Sequence, residues 1–417
     1  MNISQIKHFL KKRIDIYTQK VKYGFFNNNS KLKKEYVDWL FNRNQNGNGT
    51  YVGITDDDIT DVEKKIKLIA FYLPQFYENE VNNENFGKGF MEWYKVTKAL
   101  PQYTGHNQPQ LPIDVGFYNL SHDDVMYRQI ELAKKYGIYG FCFYYYWFSG
   151  DRLLEKPLEH FLNNKELRMP FCLFWANETW THVWDTGHNA KIIKNQELRD
   201  DDDDKFVKDI IKYFQDERYI KIDNKPVLII YKMQIFEKNR FKQFINNLKE
   251  KIKDYGFDDI YLIATDNYFG EMNLSEYKID AVVEFSNQYI FTESKISDMK
   301  NRFVNPSFNG KIIDLRRVLD EKKHLINAKN YKTYKSVCAG WDDTARKAYT
   351  GSYVLDMTPD DFERWLKDDI EWTKSNHSES EQILFIDSWN EWAEGAHLEP
   401  DQRYGYAYLQ KVLEAVK

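Results

Sequence analysis

The stretch Ile383-Leu-Phe-Ile-Asp-Ser-Trp-Asn-Glu-Trp-Ala-Glu-Gly395 begins as a strand and ends as a polar cluster. Ile383, Leu384, Phe385 and Ile386 form an unbroken apolar run, the pattern of a strand buried on both faces in a parallel sheet. Asp387, Ser388, Trp389, Asn390, Glu391, Trp392 and Glu394 then crowd acids, amides and indoles into eight positions. Two carboxylates three residues apart, flanked by tryptophans at the end of a buried strand, suit a sugar-cleaving site.

Seven more apolar runs precede this one, and each reads as a strand. They are Leu68–Leu73, Ile138–Tyr145, Pro170–Phe174, Pro226–Tyr231, Ile260–Ala264, Ala281–Phe285 and Ser336–Gly340, with Gln382–Ile386 as the eighth. Helical patterns alternate with them at Asp123–Lys135, Lys205–Gln215, Phe241–Tyr255, Leu315–Leu319, Thr358–Lys374 and Gln402–Val416. Eight βα units predict a (β/α)8 TIM barrel. A doubly wound open sheet is the competitor, but the glycine-rich turn it would show after its first strand is replaced by Pro74-Gln75-Phe76-Tyr77. The acidic run Asp200–Asp204 lacks the alternating ligands and turn glycine of a calcium loop. It suits the N-terminal end of the helix that follows.

The first sixty residues read differently. Ile3, Ile6, Leu10, Ile14, Tyr17 and Val21 recur at three- and four-residue steps, with a basic opposite face. Residues 1–60 are therefore expected to form an N-terminal helical extension, and residues 61–417 the barrel. The basic helix raises the prospect of peripheral membrane contact through residues 1–22. The plainer alternative is a helix packed on the barrel with a solvated charged face.

Composition narrows the function. The 417 residues carry a formal net charge of −5, which does not suit a nucleic-acid binder. No apolar run approaches the ~20 residues of a membrane span, and Met1–His8 shows no leader pattern. Cys142, Cys172 and Cys338 sit inside apolar runs, an odd count without paired spacing. A reducing, cytoplasmic setting is expected, with the inner face of the membrane as the place of any membrane contact. Aromatic residues reach 17%, in a chain also crowded with Asn, Lys and Ile. An A/T-rich genome explains the bulk of them, and only those at strand ends keep a binding role here.

In a barrel of this kind, reactive groups follow the C-terminal ends of the strands. The ends read, in order, Tyr72, Pro74, Gln75 and Phe76; Tyr144, Tyr145, Tyr146 and Trp147; Trp175, Asn177, Glu178 and Trp180; Tyr231; Asp266 and Asn267; Glu284 and Asn287; Trp341, Asp342 and Asp343; and Asp387, Trp389, Asn390, Glu391, Trp392 and Glu394. Flat rings offer faces for sugar C–H groups, and carboxylates and amides pair with hydroxyls. Glu391 and Glu394 are the candidate catalytic pair, since glycosidic cleavage needs a proton donor and a second carboxylate. No cofactor or metal is required. A metal-dependent barrel using Asp266, Glu284 and Asp342 is a minor alternative.

These residues also carry a resemblance. Ala-Phe-Tyr-Leu-Pro-Gln-Phe at 70–76, Gly-Lys-Gly-Phe-Met-Glu-Trp at 87–93, Gly-Phe-Cys-Phe-Tyr-Tyr-Tyr-Trp-Phe at 140–148, Phe-Trp-Ala-Asn-Glu-Thr-Trp at 174–180 and Asn-Glu-Trp-Ala-Glu-Gly at 390–395 resemble the WbsX-type glycosyltransferase-like family, related to glycoside hydrolase family 99. The resemblance runs from about Lys67 to Tyr408, and it adds Trp93 to the substrate-binding set. It implies a (β/α)8 barrel acting on oligosaccharide or polysaccharide, in surface-polysaccharide metabolism of the O-antigen or capsule type. Family 99 enzymes are retaining endo-α-mannosidases with a Glu-Trp-His-Glu-Gly motif. By that match Glu391 acts on the sugar 2-hydroxyl and Glu394 is the general acid, then base. Ala393 stands where family 99 has His, so the mannoside specificity is not carried over. The family name itself points to a glycosyltransferase of polysaccharide biosynthesis. A non-catalytic glycan-binding barrel is a further alternative.

Overall fold

A computed structural model describes residues 30–42, 50–57, 66–181, 191–266, 273–285, 290, 303–325, 331–347 and 352–417. The expected helix over residues 1–22, and Asn267 and Asn287, lie outside them.

Eight parallel strands form a closed barrel. They are β1 (Lys67–Tyr72), β2 (Gly140–Phe148), β3 (Phe171–Trp175), β4 (Lys225–Ile230), β5 (Tyr261–Thr265), β6 (Ala281–Val283), β7 and β8 (Ile383–Asp387). β7 comes in two pieces, Thr333–Tyr334 and Ser336–Cys338, interrupted at Lys335. The first piece pairs with β6 and the second with β8. Every strand neighbours its predecessor, and Lys67–Ala70 pairing with Ile383–Ile386 closes the ring. This order follows from right-handed βα crossovers repeated eight times.

The outer layer holds α1 (Asp123–Lys135), α2 (Lys156–Asn163), α3 (Asp202–Phe214), α4 (Lys238–Lys251), α5 (Leu315–Asp320), α6 (Pro359–Asn376) and α7 (Ala407–Val416). Thr358 and Asp361 form a reciprocal capping box at the start of α6, with Pro359 in its first turn, so the helix begins where local chemistry dictates. The acidic run opens and anchors α3. Asp202 accepts a 2.7 Å bond from the Arg199 N–H, and Asp203 and Asp204 pair with Arg240 and Lys251 of α4.

The barrel interior is aromatic rather than aliphatic. Phe71 meets Phe174, Phe285 and Phe385 at 5.5, 5.1 and 5.4 Å between ring centroids. Tyr144 and Tyr231 each pack on Phe174, at 5.2 and 5.5 Å. Much of the aromatic surplus thus fills the core, where each ring buries a large area.

Residues 50–57 pack on the barrel. The Val52 N–H donates to the Tyr404 carbonyl at 3.0 Å, and the Tyr406 N–H donates to the Val52 carbonyl at 2.9 Å. Gly405 sits at φ 60°, and a Cβ there would meet the Val52 oxygen at 2.1 Å.

Candidate active site

The site grows from β8. After Asp387 the chain passes a cis peptide to Ser388 and folds back on itself. Asn390–Glu391 pairs antiparallel with Ala396–His397, and a 3-10 turn over Trp392–Glu394 joins them. Gly395 closes the turn at φ 61°; a Cβ there would lie 2.8 Å from the Asp342 Cβ, so only glycine fits. Glu391 and Glu394 stand at the two ends of this turn.

Asn390 fixes the loop to the end of β1. Its carbonyl oxygen accepts from the Leu73 N–H at 2.8 Å, and its amide donates to the Leu73 oxygen at 3.0 Å. Trp392 stacks on His397 at 3.7 Å and donates its indole N–H to Glu399 at 2.6 Å. Trp93 donates to the Tyr118 carbonyl at 2.8 Å and packs against Trp392 at 5.6 Å. These three residues support the loop from behind.

The two glutamates meet at Arg346. Its Nη2 donates to Glu391 Oε2 at 2.9 Å and its Nη1 to Glu394 Oε1 at 2.8 Å. Its Nε donates to Glu92 Oε1 at 3.1 Å. Three carboxylates therefore share one guanidinium, whose planar fork suits several acceptors at once. Burial pushes the Glu391 carboxyl well above the usual carboxylate range; Arg346 opposes this, while Glu394 and Glu92 add to it. The cluster therefore favours the protonated form of Glu391 more than free solution does. Burial, and next Glu391, likewise raise the phenols of Tyr144 and Tyr146.

A cleft opens beside the cluster. Gln75, Glu92, Tyr146, Glu178, Trp180, Arg346 and Glu391 line it. Glu178 pairs with Lys232 at 2.6 Å at the rim. Asn177 clamps the end of β4 by exchanging hydrogen bonds with the Lys232 backbone, both at 2.8 Å. Tyr231 lies among the interior rings, 5.5 Å from Phe285.

Other expected binders face away from the cleft. Tyr72 donates to Gln129 of α1 at 2.6 Å, and Tyr145 donates to Asp209 of α3 at 2.6 Å. Trp147 and Trp175 pack on Phe206 of α3 at 5.0 and 4.8 Å. The reason is strand parity: Phe71, Tyr144 and Phe174 point inward, so their sequence neighbours point outward. Glu284 is also outside, held by Lys335 at 2.8 Å behind β7. Asp342 binds His106 at 2.7 Å and Gln108 at 2.8 Å, bracing a loop. Burial raises its carboxyl, but His106, Thr344 and Gln108 hold it below the usual range. Trp341, beside it, lines a second pocket with Tyr404 and His397. Asp266 takes a 3.4 Å bond from the Phe285 N–H. Asp266, Glu284 and Asp342 thus do not converge as a metal site would require.

Of the cleft-lining residues, Tyr146 and Trp180 stood at strand ends but outside the expected binding set, and Arg346 and Glu92 carried no expectation. Tyr146 was reachable from parity with Tyr144, and Trp180 stood within the 174–180 motif. Glu92 stood beside Trp93. Arg346 had no local signal, because it lies on a one-turn helix, Thr344–Lys347, with no periodic pattern.

Comparison with known proteins adds identity. The family model described as "Glycosyltransferase WbsX" matches residues 68–412. The chain belongs to the WbsX glycosyltransferase family. The match spans the barrel from β1 into α7. Among curated relatives, the uncharacterized protein WxcX of Xanthomonas campestris pv. campestris, in two strains, is 36% identical over 349 residues. That covers 84% of this chain and 49% of WxcX, so the chain spans about half the length of the curated relatives it matches. Among solved structures, a glycoside hydrolase-like protein superposes with a TM-score of 0.51 at 15% identity, covering 88% of this chain and 98% of that one. A GH99 endo-α-mannosidase from Bacteroides thetaiotaomicron gives 0.49 at 14% identity, covering 84% and 96%. The WbsX assignment makes this a member of a carbohydrate-active family on a TIM barrel. Among the described residues, no helix is long and apolar enough to cross a membrane.

Proposed function

We propose that this WbsX-family chain is a retaining carbohydrate-active enzyme, a hydrolase or transglycosylase acting within a surface polysaccharide of the O-antigen or capsule type. The observation that carries this reading is the Glu391–Arg346–Glu394 arrangement. A buried and a half-buried carboxylate, Glu391 and Glu394, face one cation at the C-terminal mouth of the barrel, within reach of a cleft lined by Tyr146 and Trp180. Barrel enzymes place their chemistry there.

The route runs through the neighbouring hydroxyl of the sugar. Glu391 takes the 2-hydroxyl proton and the resulting oxygen attacks C1. The C1–O bond to the leaving sugar breaks as Glu394 passes a proton to the departing oxygen. A 1,2-anhydro sugar results. Water, or an acceptor hydroxyl, then opens it from the opposite face, with Glu394 as base and Glu391 returning the proton. Two inversions at C1 give net retention. Arg346 holds both carboxylates in register and offsets part of their mutual repulsion.

One observation favours the opposite distribution of roles. Glu391 is the carboxyl that burial, Glu394 and Glu92 raise, which suits a proton donor. A leaving-group series separates the two assignments. The variant lacking the acid keeps cleaving aryl glycosides with good leaving groups, whereas the variant lacking the 2-hydroxyl base fails on all of them. The broader test is a panel of bacterial surface polysaccharides, read by mass spectrometry, with wild type, Glu391→Gln and Glu394→Gln. Fragments from wild type alone support the reading. Cleavage retained in both variants sinks it. Calorimetric binding of a nucleotide sugar, with transfer and no cleavage, would instead establish the glycosyltransferase alternative.

A further inference from the structure

Asp387 is a buried acid that the two-glutamate chemistry leaves unused. It is the last residue of β8 and 1% exposed. Phe385, two residues earlier, stacks on Phe71 in the barrel interior. Side chains two apart on a strand share a face, so Asp387 also points inward. It is close enough to Glu391 and Glu394 for its charge to act on theirs.

Its surroundings are unusual for a carboxylate. Cys338 of β7 lies in register beside it, and its thiol donates to the Gly340 carbonyl at 2.6 Å. Tyr144 approaches from β2, and Glu391 and Glu394 come from its own loop. Arg346 and Glu92 lie beyond those glutamates, and Tyr146 follows Tyr144 on the same face. Among the described residues Asp387 Oδ2 has no hydrogen-bond partner. An unpartnered buried carboxyl oxygen is costly, and one that persists calls for an explanation. Burial, and next the charge of Glu394, push the Asp387 carboxyl up to about 8. A neutral carboxylic acid donates a hydrogen bond, where an ionised one only accepts.

We propose that Asp387 is a positioning residue of the glycan-active site, a neutral acid buried beside the Glu391–Glu394 pair that keeps a further negative charge out of it. The inference rests on the two-glutamate reading. It makes Asp387 a source of alkaline inactivation. When Asp387 ionises, a new negative charge beside Glu394 alters the proton affinity of the pair, and turnover falls.

The test compares the full chain with Asp387→Asn and Asp387→Leu, measuring kcat and KM across the pH range on a polysaccharide that wild type cleaves. Asn is neutral at every pH and can still donate, whereas Leu has the same branching and no donor. Wild type should lose activity with an apparent pKa near 8. Asp387→Asn should keep kcat within about threefold at neutral pH and carry activity at least about one pH unit higher. Asp387→Leu should lose about tenfold or more in kcat with KM little changed. A Leu variant with wild-type kcat, or an Asn variant with an unmoved alkaline limb, overturns the proposal. Thermal melts form an arm without substrate. An acid raised by folding costs stability increasingly as pH climbs from its unfolded value near 4 to about 8. The Tm advantage of Asp387→Asn should therefore grow over that range, and parallel curves overturn the neutral acid. Glu394→Gln runs as the control. Cleavage retained there removes the two-glutamate reading, a failure distinct from that of Asp387 because the melts do not depend on it.

Discussion

Two buried charge clusters lie on opposite sides of the same barrel wall. One is Glu391, Glu394 and Glu92 around Arg346, at the mouth. The other is Glu284 with Lys335, next to Asp369 of α6, between the strands and the helices. Lys335 completes its shell with the His324 carbonyl at 2.6 Å and the Trp372 ring at 4.8 Å. Both clusters carry acids at strand ends, and both were site candidates. The first borders the cleft of Tyr146 and Trp180. The second has the marks of structure: it fills the break in β7 and ties that strand to the helix layer. Strong perturbation of a buried acid is therefore not enough to identify a site; it must also face open space.

Four measurements test this contrast. The largest effect belongs to the mouth glutamates. Glu391→Gln and Glu394→Gln should each lower turnover of a cognate glycan by about 10²–10⁴-fold, with unchanged circular dichroism. Arg346→Gln comes next. It leaves three carboxylates without their shared cation, so proton uptake by the cluster should rise. The acid-side limb of the pH–rate profile should move to higher pH and kcat should fall by about tenfold or more. A profile identical to wild type would remove Arg346 from the mechanism.

The other cluster should respond in stability and not in chemistry. Lys335→Met leaves Glu284 buried without its ammonium, a change that costs about 3–5 kcal/mol when a buried pair is broken. Denaturant melts should show that loss, while kcat of the folded fraction stays at the wild-type value. A selective fall in kcat would move this cluster into the site. Asp369→Asn should give the smallest effect, with the opposite sign. Burial pushes the Asp369 carboxyl well above its usual range, an effect that Lys335 opposes. Folding thus favours its protonated form, so its cost appears as pH rises above the unfolded value near 4 and grows towards the raised one. The Asn variant should melt higher than wild type at pH 8 and close to it at pH 4.

The barrel was legible in the sequence to a fine grain. The expected Asp123–Lys135 helix is α1 without change, and each of the eight strands falls within a few residues of its apolar run. Doubly buried strands are contiguous apolar runs, so each carries its own signal. The exception is β7, where Lys335 breaks the run and leaves only its second half visible. The site was legible in part. Gln75, Glu178 and Glu391 border the cleft, and Glu394 meets Glu391 at Arg346. Tyr72, Tyr145, Trp147, Trp175 and Glu284 stand on the helix side. The inward aromatic layer explains that error, since apolar residues on both faces of a strand conceal which parity faces in.

The number and order of the strands, and the acid-rich turn after the last one, can be read from the amino-acid sequence. Those are local properties, written in runs of neighbouring residues and in the one glycine that the turn tolerates. Which side of the wall each strand-end residue takes, and the joining of Glu391 and Glu394 to Glu92 by Arg346, depend on the assembled fold. Arg346 and Glu92 lie 254 positions apart. Barrel closure brings them together, and no local pattern records a contact made at that distance along the chain.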